Sequence, residues 1–291
     1  MAQKKNNATL LYVIAMLIYS SIGIFRRFVP MSSVALAFSR GLIGGVFLLL
    51  WLAATGGSLK LGISKKKKWM LCLTGVVLGG NWILLFEAYK YTSVAVATLC
   101  YYMEPTILIL ISPLVFKEKL TARKLICALV SLLGMVLVSG VTEGKELLSS
   151  NWTGIGFGLG AAVLYTTVVI LNKKNPVENA GGKTMLQLFS SSAVLLPYLL
   201  LTEGVSGFQL DGMGIAMLLI VGIVHTGIAY VLYFGSIQRL RSQTVAVLSY
   251  IDPVGAIVLA WLILGEGMTL AEIIGAVMIL GAAMASEIRR K

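Results

Sequence analysis

The sequence predicts an all-α integral membrane protein, ten transmembrane helices arranged as two inverted five-helix repeats. Three observations carry that prediction. Of 291 residues, 58% are hydrophobic and 12% charged, and the mean hydropathy is +0.90. The polar surface that a soluble chain of this size presents to water is therefore missing. Apolar runs of about 20 residues, the length that crosses a hydrocarbon core, recur along the whole chain. The chain also repeats itself: Glu104-Pro105 returns 148 residues later as Asp252-Pro253. The same offset carries Phe86 to Phe234, Tyr102 to Tyr250, Glu118 to Glu266, Thr121 to Thr269 and Ala128 to Ala276 without a gap.

Ten spans are expected, at roughly 8–25, 32–54, 69–89, 93–116, 121–140, 152–172, 183–202, 213–235, 242–264 and 270–288. The first follows Lys4-Lys5 and ends in Arg26-Arg27 without a small-x-small cleavage pattern, so it reads as a retained helix rather than a signal peptide. The connections are short, with Gly, Ser, Lys or Asn175-Pro176, and leave no room for a separate soluble domain. Trp51, Trp69 and Trp152 fit interfacial belts, and Gly154, Gly156, Gly158 and Gly160 suit close helix packing. Glu87, near the outer interface and three residues before Lys90, predicts an exposed ion pair. Thr269-Leu-Ala-Glu272 is a capping box that opens the last helix, so the neighbourhood of Glu266, and of its match Glu118, reads as structure at the start of a helix.

With a cytoplasmic N-terminus, the inner segments hold Lys4, Lys5, Lys60, Lys65 to Lys68, Lys117, Lys119, Arg123, Lys124, Lys173, Lys174, Lys183, Arg239, Arg241 and Arg289 to Lys291. The outer segments hold Arg26, Arg27, Lys90 and Lys145. By the positive-inside rule both termini are cytoplasmic. The formal charge of +12 is thus read as topology signals facing anionic lipid, and nucleic acid is not an expected partner. Because an odd number of spans, five, separates each element from its repeat, the second half (146–291) enters the membrane upside down relative to the first (1–145). Inverted repeats supply two exchangeable half-structures, one opening inward and the other outward, as alternating access requires. The sequence thereby points to a secondary transporter.

Pro105 and Pro253 lie within spans, where each leaves a carbonyl without its helical partner (Tyr101 and Ser249), so both helices are expected to bend there as paired hinges. A carboxylate such as Glu104 or Asp252 at mid-membrane depth is costly unless paired, hydrated or protonated. That suits a group that loads and unloads a proton or binds a cation; capping the backbone freed at its own proline is the competing structural reading. Tyr101 shares a helical face with Glu104, and Tyr250 neighbours Asp252. Arg40, about a third of the way into its span from the outside, must find an anion: a permanent internal salt bridge or a substrate carboxylate. Asn81-Trp82, Gln187, Ser190 to Ser192 and His225 add polar groups at depth; they glue helices together or, for His225, relay protons. Tyr12, Tyr19, Tyr165, Tyr230 and Tyr233 are candidates for a cavity lining.

The three cysteines, Cys72, Cys100 and Cys127, stand singly in apolar runs, with neither a disulfide framework nor metal-site spacing. No nucleophile-base constellation, phosphate loop or zinc spacing is present, so neither an enzyme nor a cofactor is expected. The ten spans, the repeat, Tyr91-Thr-Ser-Val-Ala-Val-Ala-Thr98 followed by Glu104-Pro105, and Leu264-Gly-Glu266 with Thr269 together resemble the EamA-like family of the drug/metabolite transporter superfamily. The resemblance covers nearly the whole chain. It implies a ten-helix monomer with a central cavity lined mainly by spans 1, 3, 4, 6, 8 and 9. One departure is Lys117 before Glu118, where the family often has glycine; the second half keeps Gly265.

These readings combine into a multi-pass protein of the cell membrane, a bacterial inner membrane, that exports an amino acid or similar metabolite in exchange for protons. Glu104 or Asp252 would take the substrate ammonium and Arg40 its carboxylate, with Tyr19, Asn81, Trp82, Tyr101, Tyr165 and Tyr250 around it; Glu104, Asp252 and His225 are the proton candidates. An organic cation or drug exporter, or an importer of a quaternary amine, uses the same acids as counter-ions. A lipid-handling module without transport is the third reading, and it predicts polar residues gathered at one leaflet.

Overall fold

A computed structural model describes residues 2–57, 61–139, 152–204, 210–265 and 267–287. Among them all regular structure is helical: α1 (Ala2–Arg26), α2 (Ser33–Ala54), α3 (Lys65–Tyr91), α4 (Val94–Tyr101), α5 (Glu104–Phe116), α6 (Ala122–Val138) and α7 (Trp152–Lys174). There follow α8 (Ala180–Thr202), α9 (Gly212–Ile220), a π-helical segment (Val221–Ile228), α10 (Ala229–Ile237), α11 (Ser242–Ser249), α12 (Ile251–Leu264) and α13 (Leu270–Glu287). Among the described residues eight helical stretches are long and apolar enough to cross a membrane; α6, at 17 residues, and the apolar part of α13, Leu270–Ala285, are shorter.

Spans expected to bend at proline are instead each two helices. α4 stops at Tyr101, Tyr102 and Met103 turn, and α5 starts afresh with Glu104 and Pro105 in its first turn; α11 and α12 meet at Tyr250, with Asp252 and Pro253 in the first turn of α12. The physical reason is that a first-turn residue has no intrahelical acceptor for its N–H, so proline is accommodated there without loss. A mid-helix proline would forfeit a bond.

The chain forms two compact units, residues 1–83 with 167–239, and residues 84–166 with 240–291. Each draws on both sequence halves. In the first unit, α2 packs on α8 and on the π segment, and α1 packs on α10. The approach is close: a Cβ on Gly75 would collide with the Gln187 carbonyl oxygen, and one on Gly44 would lie 2.9 Å from that of Gly222. Small residues at such crossings are the usual device of membrane helix packing.

In the second unit α6 packs along α13 and α5 along α11. Gly134 and Gly275 make the α6–α13 crossing possible, since a Cβ on either would meet the other's carbonyl oxygen, at 2.7 and 2.5 Å. Met135, Val138, Tyr250, Val254, Ala276 and Ile279 form a buried apolar cluster. The capping box of α13 is made as expected, with the Thr269 amide donating to Glu272 (2.7 Å) and the Glu272 amide to Thr269 Oγ1 (3.2 Å). The Lys90–Glu87 ion pair is present at 2.7 Å.

Lys117, which ends α5, adopts φ +55°; its match Gly265, which ends α12, adopts φ +68°. The repeat thus preserves a left-handed helix end even where the first half lacks the glycine that favours it. Lys117→Gly is expected to stabilise the protein by about 1 kcal/mol, read as a higher midpoint in thermal unfolding of the purified protein.

Candidate functional site

The two helix breaks meet within the second unit, and they interlock through residues matched by the repeat. Tyr102, in the first break, donates its hydroxyl to Asp252 Oδ2 (3.1 Å). Tyr250, in the second, donates to the Tyr102 carbonyl (3.2 Å) and shares a hydrogen bond with Thr106 Oγ1 (3.1 Å). Tyr102 and Tyr250 therefore each cross to the opposite half. A broken helix frees backbone groups that need partners, and here the Tyr102 carbonyl and the Glu104 carbonyl receive them, from Tyr250 and from Thr166 Oγ1 (3.3 Å).

Glu104 is buried, 4% exposed, and its Oε1 has no hydrogen-bond partner among the described residues. The capping role weighed for it from sequence does not account for this oxygen. Around the breaks stand Tyr101, packed against Tyr102 (ring centroids 6.0 Å) and Tyr165 (5.8 Å). Sequence reasoning paired Asp252 with its neighbour Tyr250; the phenol that reaches it is Tyr102. Tyr102 and Tyr250 are themselves a matched pair in the repeat, which is the sequence signal for this contact; the partner comes from the other half and not from the neighbouring residue.

Arg40, Asn81, Trp82, Tyr19 and His225 lie in the first unit. The Arg40 guanidinium stands 4.5 Å over the Trp82 ring, a cation–π contact. Among the described residues no carboxylate lies within 4.0 Å of it, and its Nε has no hydrogen-bond partner. Of the two anions the sequence allows Arg40, an internal carboxylate or that of a substrate, the first is not supplied among the described residues; the aromatic ring offers attraction without the desolvation cost of a buried carboxylate. Trp82 stacks on Tyr230 (6.3 Å), Tyr19 approaches Tyr230 (5.5 Å) and Tyr233 (6.0 Å), and Asn81 is fully buried beside Trp82.

His225 sits in the π segment, its Nε2 at 2.9 Å from Ser21 Oγ and its ring 4.9 Å from that of Phe25. The π turn, a widened helix that often marks functional sites, had no sequence signal. Gly222 and Gly227 admit α2 there, with Gly44 seated against both.

Lys183, counted above among the inner-segment charges, is fully buried in the first turn of α8. Its Nζ donates to the Asn172 carbonyl (3.4 Å) near the end of α7, and Gln187 one turn on donates to Asn172 Oδ1 (3.0 Å). A cation at a helix C-terminus complements its dipole. Glu118 likewise acts at the start of a helix, but of one far away in sequence: Ser242 donates its amide (3.0 and 3.1 Å) and hydroxyl (3.1 Å) to the Glu118 carboxylate at the start of α11. Its match Glu266 lies outside the described residues.

The EamA-like transporter family model matches residues 6–140 and again 152–286. A Bacillus subtilis (strain 168) protein named "Uncharacterized transporter YxxF" is 29% identical over 297 residues, covering 100% of this chain and 92% of that protein. Protein PecM of Dickeya dadantii is 26% identical over 220 residues, covering 74% and 72%. Protein RarD of Salmonella typhi is 27% identical over 203 residues, covering 69% and 66%. A solved crystal structure at 22% identity superposes with a TM-score of 0.82 over 96% of this chain and 97% of that one, a likeness of fold. Matched twice along its length and aligned end to end with a named transporter, this multi-pass membrane protein belongs to the EamA-like transporter family of the drug/metabolite transporter superfamily.

Proposed function

We propose that the chain is a monomeric secondary active transporter that exports an amino acid or a similar carboxylate-bearing metabolite in exchange for protons. In this reading the ten membrane segments form two inverted repeats, 1–145 and 146–291, in a bacterial inner membrane with both termini cytoplasmic. The observation that carries it is Arg40: a permanent cation within a membrane helix, held on Trp82 without a carboxylate within 4.0 Å among the described residues. Such a group needs an anion, and a substrate carboxylate supplies one bidentately. In this reading Tyr19 and Asn81 join Arg40 and Trp82 in holding the substrate.

Glu104 and Asp252 carry the coupling proton, with Tyr101, Tyr165 and Tyr250 around them. Support comes from the buried Glu104 oxygen, without a hydrogen-bond partner among the described residues, and from the phenol on Asp252. Pro105 and Pro253, starting new helices beside these acids, are the hinges of alternating access. His225, whose Nε2 lies 2.9 Å from Ser21 Oγ, is the third proton-coupling candidate. The same Glu104 oxygen favours one second reading, an organic cation as substrate.

Thermal unfolding of the purified protein with amino acids and with the corresponding decarboxylated amines separates the two, because a ligand of the folded state raises its midpoint. Amino acids are expected to stabilise and the amines not. Equal stabilisation by the amines would transfer the proposal to cations, and stabilisation by neither class would remove it.

A further inference from the structure

The first unit contains a cavity of about 580 Å³ that the transport reading does not use. It lies between α1, the connection from α7 to α8, and α10, with Leu11, Val177 and Leu232 among its apolar walls and Glu178, Gln238 and Arg239 on its polar side. Its volume is within the roughly 300–1,000 Å³ of sites that hold small ligands. Leu11 is exposed on the apolar outside of α1, as a lipid-facing residue is.

The polar side is fixed by specific bonds. α7 ends at Lys174, and Pro176 does not continue it. The Val177 amide donates to Gln238 Oε1 (3.0 Å), and Gln238 Nε2 donates to the Phe234 carbonyl (2.9 Å). Asn175 Nδ2 donates to the Lys67 carbonyl (3.0 Å), which ties the start of α3 to the same connection. These bonds gather Lys65 to Lys68, Lys173, Lys174 and Arg239 at one end of the unit, with Glu178 the sole acid in those segments.

In these segments seven basic side chains stand against one carboxylate, so their balance of charge is positive. α3 has no acidic residue in its first turn, so the positive end of its dipole adds to the lysines. Trp69, next in the chain and 71% exposed, is the amphipathic side chain that settles at headgroup level. An apolar wall under a basic rim at the depth of a membrane interface matches an amphiphile whose head is anionic. Glu178 narrows the choice further: a carboxylate lining the same cavity as Arg239 repels a bare anion but accepts from hydroxyls.

We propose that this cavity is a binding site for an anionic phospholipid with a hydroxyl-bearing head, of the phosphatidylglycerol type. Its phosphate sits at Arg239 and the neighbouring lysines, its head hydroxyls donate to Glu178, and an acyl chain runs along Leu11 and Leu232. A zwitterionic lipid fills the apolar wall equally well but brings its own cation to the basic rim.

Native mass spectrometry of the delipidated full-length protein, titrated with phosphatidylglycerol or phosphatidylcholine of the same acyl chains, tests this. The expected result is preferential phosphatidylglycerol adducts, weakened about fivefold by Arg239→Gln, the size of one interfacial charge. Gly235→Leu is expected to reduce the same adducts by filling the cavity. A Cβ at Gly235 meets only Ala180 Cβ at 3.4 Å, ordinary contact, so the helix tolerates it. Equal retention of the two lipids overturns the proposal. So do adducts unchanged in both variants, or adducts sensitive to the charge change but not to the filled cavity. The assay reads bound lipid rather than transport, so its outcome stands apart from that of the transport reading.

Discussion

Replacing Arg40 by glutamine is expected to weaken binding of a carboxylate-bearing substrate by about 100-fold, the cost of deleting one partner of a desolvated charge pair, about 3 kcal/mol. Binding to the purified protein by calorimetry checks this, once an amino acid has been found to stabilise it. Arg40→Lys separates charge from shape. The ammonium keeps the charge but neither the flat face that lies 4.5 Å over Trp82 nor the two-pronged donor set. Lysine is therefore expected to recover only part of the loss. The fold should survive, because Arg40 closes no ion pair among the described residues. Undiminished binding in Arg40→Gln would place the carboxylate elsewhere, and the proposed role of Arg40 would go with it.

Glu104→Gln is expected to uncouple transport from the pH gradient. In proteoliposomes with an imposed gradient, uphill accumulation of the substrate should fall to a ratio of about 1, while exchange at equal pH persists, because an amide keeps the volume and loses the proton-carrying group. Asp252→Asn is expected to be milder. Its oxygen accepts from Tyr102 at 3.1 Å, and an asparagine oxygen can go on accepting that bond, whereas Glu104 Oε1 holds no such partner among the described residues. A double variant, Glu104→Gln with Asp252→Asn, that still accumulates substrate against its gradient would sink the acid-coupling idea.

The contrast between these two acids illustrates where sequence reasoning worked and where it stopped. Both were visible as carboxylates beside prolines inside apolar runs, and the offset of 148 residues linked them. What separates them, a phenol from the opposite half on one and an oxygen without a partner among the described residues on the other, is a matter of three-dimensional contact. The proline effect shows the same limit: the sequence located both interruptions, yet whether a helix bends at proline or ends and restarts depends on what receives the freed carbonyls. Here Tyr250 receives one of them, on the Tyr102 carbonyl, and it lies 148 residues away.

Lys183, Glu118 and Arg40 divide along the same line. A lysine at a span end reads as a solvated topology signal, and only the packing of α8 against the end of α7 buries it on Asn172. Glu118 was recognisable as structure at the start of a helix, because of its match near a capping box, but not as the cap of a helix that begins at Ser242. Arg40 was recognisable as a cation in need of a partner, and the partner type, an indole rather than a carboxylate, came from the arrangement of α2 and α3.

The sequence by itself determined that this protein lives in a bilayer, roughly where its chain crosses, that its halves are related, and which side chains are too polar for their depth. Those are local or self-comparative properties: transfer of an apolar run from water depends on that run alone, and a repeat is a relation of the chain to itself. The tertiary structure alone decided which of those side chains meet, where the helices restart, and that Glu178, Gln238 and Arg239 edge an apolar cavity between α1 and α10. Each of these is a contact between residues far apart in the chain, and its energy exists only once the helices have packed.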